Sequence, residues 1–136
     1  MKLLTKAIKN KMPMLYSQED LGNNAIVHLK FFNPCGGETW YITEGNAIIQ
    51  VAEGNITEKA LKDIRLDDNV LDIRFYGLIT GTQFDELGYF SFNELKSIGS
   101  NPKMTFRDNT ITIRDLGLER DLYFNPQPLK NFVKDI

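Results

Sequence analysis

The chain has 136 residues, the length of one domain, because a single core usually grows over about 100 to 200 residues. Hydrophobic residues make up 42% and charged residues 25%, which disfavours a disordered or collagen-like chain. Sixteen basic and eighteen acidic residues leave a formal net charge of -2, which gives no strong nucleic-acid signal and indicates no anionic mimic of DNA.

The start of the chain shows no export signal, because Leu3 and Leu4 are followed at once by Thr5 and Lys6. No window approaches the ~18 consecutive apolar residues of a membrane span, so no membrane association is expected. The single cysteine, Cys35, cannot form an internal disulfide and is interpreted as a loop thiol. These features predict a cytoplasmic protein.

A short helix is predicted over residues 5–11. Thr5 can cap its first turn, apolar residues recur at helical spacing, and Pro13 limits its continuation. Three lysines give this segment a basic face that could meet phosphate: Lys2, Lys6 and Lys9. Such a face is ordinarily solvated, and we interpret it in that way.

Residues 25–32 alternate between apolar and polar side chains, which predicts a half-buried strand, and a turn over 33–37 follows. His28 lies on the polar side and is interpreted as an exposed or hydrogen-bonded surface residue. Because it is the only histidine, a histidine-rich metal centre is impossible. No glycine-rich phosphate loop is present, so no cofactor and no metal site are expected.

Residues 40–51 are predicted to form a β-hairpin. Gly45 and Asn46 are a favourable pair for a two-residue turn, since glycine tolerates the positive φ that such turns demand. The resulting register places Ile42 opposite Ile49 on one apolar face.

A helix is predicted over residues 56–66, because Asn55 and Glu58 have the spacing of a capping box. The aspartates that follow lack the glycine and the terminal glutamate of a calcium loop and are interpreted as solvated. Beyond this helix, the sequence predicts a strand at 71–79, a turn at 81–82, a strand at 84–90 and a helix from Ser91 to about Gly99. A second hairpin is predicted to turn at 108–109, with Phe106 opposite Ile111 and Met104 opposite Ile113. A strand near 122–124 and a terminal helix at 129–133 are predicted after it.

Hairpins interleaved with brief helices, in place of regular βαβ units, predict an α+β domain. Its sheet is expected to be curved and mainly antiparallel, with six to eight strands. Short helices should pack at one face or end. No linker or repeat divides the chain, so one domain over residues 1–136 is expected.

Seven residues near predicted strand ends are candidates for binding: Tyr41, Glu44, Glu86, Tyr89, Glu119, Arg120 and Asp121. Their carboxylates could converge on one mouth of the sheet, where one acts as an acid and another as a base. We favour a structural ion-pair network instead, because Arg120 lies between two acidic residues. Trp40 and Tyr41 point to opposite faces; we expect Trp40 in the core and Tyr41 as an exposed aromatic contact.

Four short stretches, in their order along the chain, resemble a bacterial family. They are TWYITE at 39–44, FYGL at 75–78, ELGYFS at 86–91 and LGLERD at 116–121. The family is the one catalogued as domain of unknown function twenty-nine fifty-eight. The resemblance covers nearly the whole chain and departs from the family pattern at 45–69 and 99–114. It implies a small cytoplasmic protein of plasmids and conjugative elements, and it supplies no catalytic residues.

The expected function is therefore that of a non-enzymatic interaction or accessory protein of a mobile genetic element, with an unknown protein partner. The alternative is a small acid/base or metal-assisted hydrolase. Clustered carboxylates suit a cation such as Mg²⁺, and Arg120 suits an anionic group, so a phosphoester would be its substrate.

Overall fold

Ten strands, two α-helices and four 3₁₀ turns occur in the computed structural model, which describes residues 2–98, 103–106, 109–112 and 117–133. For 103–106 and 109–112 the description concerns the backbone. The helices are α1 (Lys6–Lys11) and α2 (Phe92–Ser97). The strands are β1 (Ile26–Val27), β2 (Leu29–Phe32), β3 (Thr39–Gln50), β4 (Ile56–Ala60), β5 (Asn69–Thr80), β6 (Glu86–Ser91), β7 (Lys103–Phe106), β8 (Asn109–Thr112), β9 (Glu119–Arg120) and β10 (Gln127–Pro128). The 3₁₀ turns are Glu19–Asn24, Ala52–Gly54, Leu61–Asp63 and Leu129–Asn131.

Six strands form one antiparallel sheet in the order β6, β5, β3, β2, β9, with β4 also paired to β3. β5 pairs with β3 along nearly its whole length, while β2 pairs with the first part of β3 and β4 with the last part. Two short antiparallel pairs, β1 with β10 and β7 with β8, stand apart from this sheet. The described residues are thus mixed α+β with a mostly antiparallel sheet and short helices, as predicted.

The caps predicted for the two α-helices are confirmed. The hydroxyl of Thr5 accepts the N–H of Ile8 at 3.2 Å, and that of Ser91 accepts the N–H of Glu94 at 3.1 Å. Each short side chain satisfies a donor that the first helical turn leaves free. The strands predicted at 71–79 and 84–90 are present as β5 and β6, and the predicted helix end at Gly99 lies outside the described residues.

The single strand predicted at 25–32 is two strands, β1 and β2. The chain leaves one ladder for another at His28, whose N–H bonds to the carbonyl oxygen of Ile42 at 2.9 Å. The three side chains predicted on one inward side are all buried, but Val27 packs with Leu129 on one sheet face, whereas Leu29 and Phe31 belong to the core cluster on the other face. The turn predicted at 33–37 is confirmed.

The hairpin predicted at Gly45 and Asn46 is wrong, because both residues lie inside the continuous strand β3. The N–H of Gly45 bonds to the carbonyl oxygen of Pro13 at 3.0 Å, next to an irregularity in the β3–β5 register. A Cβ atom at Gly45 would lie 2.9 Å from the ring of Phe75. Glycine is therefore explained by close packing against an aromatic ring and not by a turn.

The helix predicted at 56–66 is also wrong. Residues Ile56–Ala60 form strand β4, and a 3₁₀ turn at Leu61–Asp63 follows. β4 completes the ladder of β3 by pairing Ile56 with Gln50 and Ala60 with Asn46. Pairing with a neighbouring strand outweighs the weak local preference that a capping box expresses.

The predicted strand near 122–124 is wrong in position. The strand in this part of the chain is β9, which pairs Glu119 and Arg120 with the end of β2. The chain turns directly after β9. The side chain of Asp121 closes that turn by accepting the N–H of Tyr123 at 3.0 Å. The predicted terminal helix at 129–133 is reduced to the 3₁₀ turn Leu129–Asn131.

The hairpin predicted around 108–109 is present as β7 and β8, with a different register. Phe106 pairs with Asn109 and Met104 with Ile111. This register sets Thr105 opposite Thr110. The predicted partner of Met104, Ile113, and the predicted turn residue Asp108 lie outside the described residues.

The core lies on both faces of the sheet. On one face, α1, α2 and the turn at Leu61–Asp63 cover a cluster that includes Leu4, Phe31, Trp40, Ile42, Phe75, Phe90 and Leu95. On the other face, the chain's last described segment covers Val27 and Leu78 through Leu129 and Phe132. Trp40 is buried as predicted. In the described part of the chain, no helix is long and apolar enough to cross a membrane.

Candidate functional site

The sheet does not bring all seven candidate residues together. Glu86 begins β6 at one edge, whereas Glu119 and Arg120 form β9 at the opposite edge. The register places Glu86 and Arg120 in one row across the sheet, separated by four strand spacings or roughly 19 Å. Among the described residues, no group of three or more His, Cys, Asp or Glu side chains is placed to hold a metal ion.

Glu44 lies at the centre of the sheet and is only 4% exposed. Its Oε1 accepts the N–H of Tyr16 at 3.1 Å, and its Oε2 accepts the N–H of Gln18 at 2.7 Å. A second side chain of β3 holds the same segment, because the side-chain oxygen of Asn46 accepts the N–H of Leu15 at 3.1 Å. Glu44 thus fixes the chain that follows α1 onto β3.

Lys30 connects two further candidates, Asp121 and Tyr41. Its ammonium lies 3.4 Å from the carboxylate of Asp121 and 5.6 Å from the centroid of the Tyr41 ring. The ring of Tyr41 also stacks on Phe132, with 4.1 Å between centroids, so it is half-buried and not the exposed contact that was expected. Arg120 donates from Nε to the carbonyl oxygen of Lys2 at 3.3 Å.

Two candidates, Glu44 and Tyr89, do meet at one cavity. Cross-strand pairing sets Glu44 beside Tyr76 and Tyr76 beside Tyr89, so the three form a row on one sheet face. Tyr16 completes the wall, with its ring centroid 6.2 Å from that of Tyr89. We call this space, of about 290 Å³, the tyrosine cavity.

The phenol of Tyr89 is perturbed by this setting. Tyr89 is 53% exposed, and partial removal of solvent from its phenol is the largest cause that raises the pKa of Tyr89; a hydrogen bond with Tyr16 raises it further. The negative charge of Glu19 acts in the same direction. Tyr89 is therefore a neutral phenol throughout the physiological pH range.

A larger cavity, of about 510 Å³, opens on the other sheet face between α1, α2 and the start of β5. Its floor is apolar and includes Leu3, Leu71, Ile73 and Phe92. Its rim carries three ammonium groups: Lys2, Lys9 and Lys96. We call it the lysine groove.

The positive charge of the lysine groove continues into an adjoining cavity. That space shares Lys2 and Lys9 and adds Lys6, Lys62 and Arg65. Among the described residues that line the two cavities, the one carboxylate belongs to Asp72, whose Oδ1 already accepts the N–H groups of Ile73 at 2.7 Å and Asn93 at 3.0 Å. Six cationic residues thus line the two adjoining cavities of a chain whose net charge is negative.

The sequence pattern identified part of this surface. It marked Lys2, Lys6 and Lys9 as a basic face and assigned them to solvent, but Lys96 and the floor come from distant segments that only folding brings there. For the tyrosine cavity the pattern marked Tyr89 and Glu44. Tyr16 carried no local signal, since its place depends on hydrogen bonds to β3.

No family model, no curated protein and no solved structure matches the chain.

Proposed function

We propose that the chain is a non-enzymatic interaction protein that binds an acidic, amphipathic segment of a protein partner in the lysine groove. The observation that carries this proposal is the combination of an apolar floor with a rim of lysines. Apolar side chains of the partner would lie on the floor, and its carboxylates would face the rim. Complementary charge at a rim chiefly sets specificity and the rate of encounter.

Exposed apolar side chains support a partner surface at this place. Val70 and Leu71 line the lysine groove and are exposed, and Leu66 lies fully exposed at the adjoining cavity. Single exposed leucines are ordinary, but several exposed apolar side chains beside lysines are typical of an interaction site. Burial of these side chains would supply the non-polar part of the binding free energy.

A peptide fits the lysine groove better than a nucleic acid does. Single-stranded nucleic acids need open aromatic faces on which bases stack. Phe92, the one aromatic ring among the described residues of the floor, is stacked with Phe31 at 6.4 Å and has the Lys96 ammonium 4.9 Å from its centroid. A flat membrane surface would also leave a recessed floor unfilled, whereas peptide side chains can enter it.

The proposal keeps the setting that the sequence resemblance implies, namely a cytoplasmic protein of a plasmid or conjugative element. An interaction protein needs no converging catalytic groups, which agrees with the separation of Glu86 from Glu119 and Asp121 by the width of the sheet. The hydrolase alternative requires two of the candidate carboxylates within ~4 to 6 Å in an open pocket. Glu86 and Glu119 lie at opposite edges of the sheet, and both carboxylate oxygens of Glu44 accept backbone N–H groups, so these placements do not favour the alternative.

Selection of displayed peptides against the folded protein tests the proposal. We expect enrichment of segments that combine Asp and Glu with apolar residues, and an affinity that falls as salt is raised, because exposed charges are screened. Lys9→Glu should weaken the selected peptides at least tenfold. Lys130→Glu makes the same change of charge on an exposed residue outside the groove and should have little effect. Equal loss in both variants, or enrichment of basic segments, would refute the proposal.

A further inference from the structure

The tyrosine cavity lies on the sheet face opposite to the lysine groove, and its chemistry is different. Three rings form its wall: Tyr16, Tyr76 and Tyr89. The centroids of Tyr76 and Tyr89 are 4.9 Å apart with the planes tilted by 53°, and those of Tyr16 and Tyr89 are tilted by 54°. Tyr89 thus contacts both of the other rings along one wall of the cavity.

The charge of the cavity is negative. Glu19 and Glu44 both line it, and no lysine, arginine or histidine is among its described lining residues. Both oxygens of Glu44 are bonded to backbone N–H groups, which are neutral donors and leave the carboxylate charge in the wall. The face of an aromatic ring also carries negative potential.

The backbone of Tyr16 is strained in this arrangement. Its φ of 73° lies in the left-handed region, which bulky residues seldom adopt. Such strain persists where surrounding contacts enforce it, and it concentrates at binding sites. Here the N–H of Tyr16 is held by Glu44, so a buried carboxylate presents an aromatic ring that is itself 55% exposed.

We propose that the tyrosine cavity binds an alkylammonium group, and that a methylated ammonium is preferred. Cations are attracted to aromatic faces, and several rings with a nearby carboxylate form the cage that recognises quaternary ammonium ligands. The apolar residues Ala25, Leu87 and Leu129 also line the cavity and favour methyl groups over a strongly hydrated primary ammonium. This site is independent of the lysine groove, which would repel such a ligand.

Titration of the full-length protein with choline, followed by the NMR signals of the tyrosine rings, tests this proposal. Its neutral isostere 3,3-dimethyl-1-butanol has nearly the same shape and lacks the charge. We expect saturable shifts of Tyr16, Tyr76 and Tyr89 with choline, and binding at least about tenfold weaker with the isostere, the range that cation–π attraction supplies. Equal binding of both compounds, or no saturable shift with choline, would overturn the proposal.

Single substitutions test which side chains of the tyrosine cavity bind choline. Tyr89→Phe keeps the aromatic face and should retain choline binding within a few-fold, whereas Tyr89→Leu should lose at least about tenfold. Tyr123→Leu, at an exposed turn outside the cavity, is the matched control and should bind as the parent protein does. Glu19→Gln should weaken choline without altering the isostere. Equal affinity of the two Tyr89 variants would contradict a role for the ring.

A second comparison distinguishes a free small molecule from a protein side chain as the source of the ammonium group. A peptide with one trimethyl-lysine and the same peptide with unmodified lysine are titrated beside choline. Tighter binding of the trimethyl-lysine peptide than of choline indicates a side chain, and the reverse order indicates a free ligand. Tighter binding of unmodified lysine than of trimethyl-lysine would overturn the preference for methylation.

Discussion

The carboxylate of Glu44 holds the backbone of Tyr16, with 3.1 Å between Oε1 and the Tyr16 nitrogen. The other carboxylate oxygen holds Gln18, whose side chain in turn donates to the carbonyl oxygens of Ile26 at 3.0 Å and Thr43 at 2.9 Å. A buried charged side chain is thus satisfied by the chain that it orders. This relationship explains both the burial of Glu44 and the positive φ of Tyr16.

Replacing Glu44 should destabilise the fold without any loss of an ion pair. In Glu44→Gln, one of the two N–H groups would face an amide that donates, so a buried donor loses its acceptor. We expect a loss of about 1 to 3 kcal/mol in the free energy of unfolding, measured in urea. Glu86→Gln, at an exposed strand start, should change it by less than about 0.5 kcal/mol. Equal effects would contradict the structural role of Glu44.

Gly77 and Gly88 form a cross-strand pair with opposite tolerance to a side chain. A Cβ atom at Gly77 would overlap the carbonyl oxygen of Tyr41 in the neighbouring strand, whereas one at Gly88 would meet nothing within 4 Å. Gly77→Ala should therefore cost about 3 kcal/mol or more, because strands β3 and β5 must move apart. Gly88→Ala should be neutral or stabilising by about 0.5 to 1 kcal/mol. Thermal unfolding of both variants checks this, and similar melting temperatures would contradict the register.

His28 should make the protein less stable under mildly acidic conditions. Burial, followed by the positive charge of Lys11, lowers the pKa of His28 below its ordinary value of 6.5. The charged residues that line the same small cavity as His28 are Lys30, Arg120 and Asp121. Since the unfolded chain binds the proton more readily, the contribution of His28 is complete above pH 6.5 and is lost as pH falls through the lower folded-state pKa.

The variant His28→Gln should flatten this dependence. Urea unfolding at pH 7.5 and about pH 5.5 should show a larger loss of stability for the parent protein than for the variant. Asp68 does not contribute to the stability difference between these two pH values. Hydrogen bonds from Lys59 and Arg65 lower the pKa of Asp68 from its ordinary value of 3.8, so that it titrates in a more acidic range. An NMR titration that placed the pKa of His28 above 6.5 would contradict the sign.

Local signals predicted the parts of the fold that local contacts determine. Thr5 and Ser91 cap their helices because each cap involves residues three positions apart. The wrong predictions concern residues whose environment is distant in sequence. Gly45 resembled a turn residue, but the absence of a side chain there makes room for the ring of Phe75, thirty residues further along the chain.

The same distinction explains the candidate sites. Glu44 and Tyr89 could be singled out, but their meeting with Tyr16 depends on cross-strand register and on a left-handed residue, which no local pattern encodes. The lysines of α1 were visible as a face. Their partnership with Lys96 needs the packing of α2 against β5.

Photo-crosslinking from the lysine groove tests most directly whether it holds an acidic partner segment. Leu71→p-benzoylphenylalanine places the reactive group on the exposed part of the floor, and Tyr123→p-benzoylphenylalanine places it on an exposed turn elsewhere. In cells of the natural host, we predict a discrete adduct from position 71, absent at position 123, whose crosslinked peptide is rich in Asp, Glu and apolar residues. No adduct from position 71, the same adduct from both positions, or a basic crosslinked peptide would contradict the account.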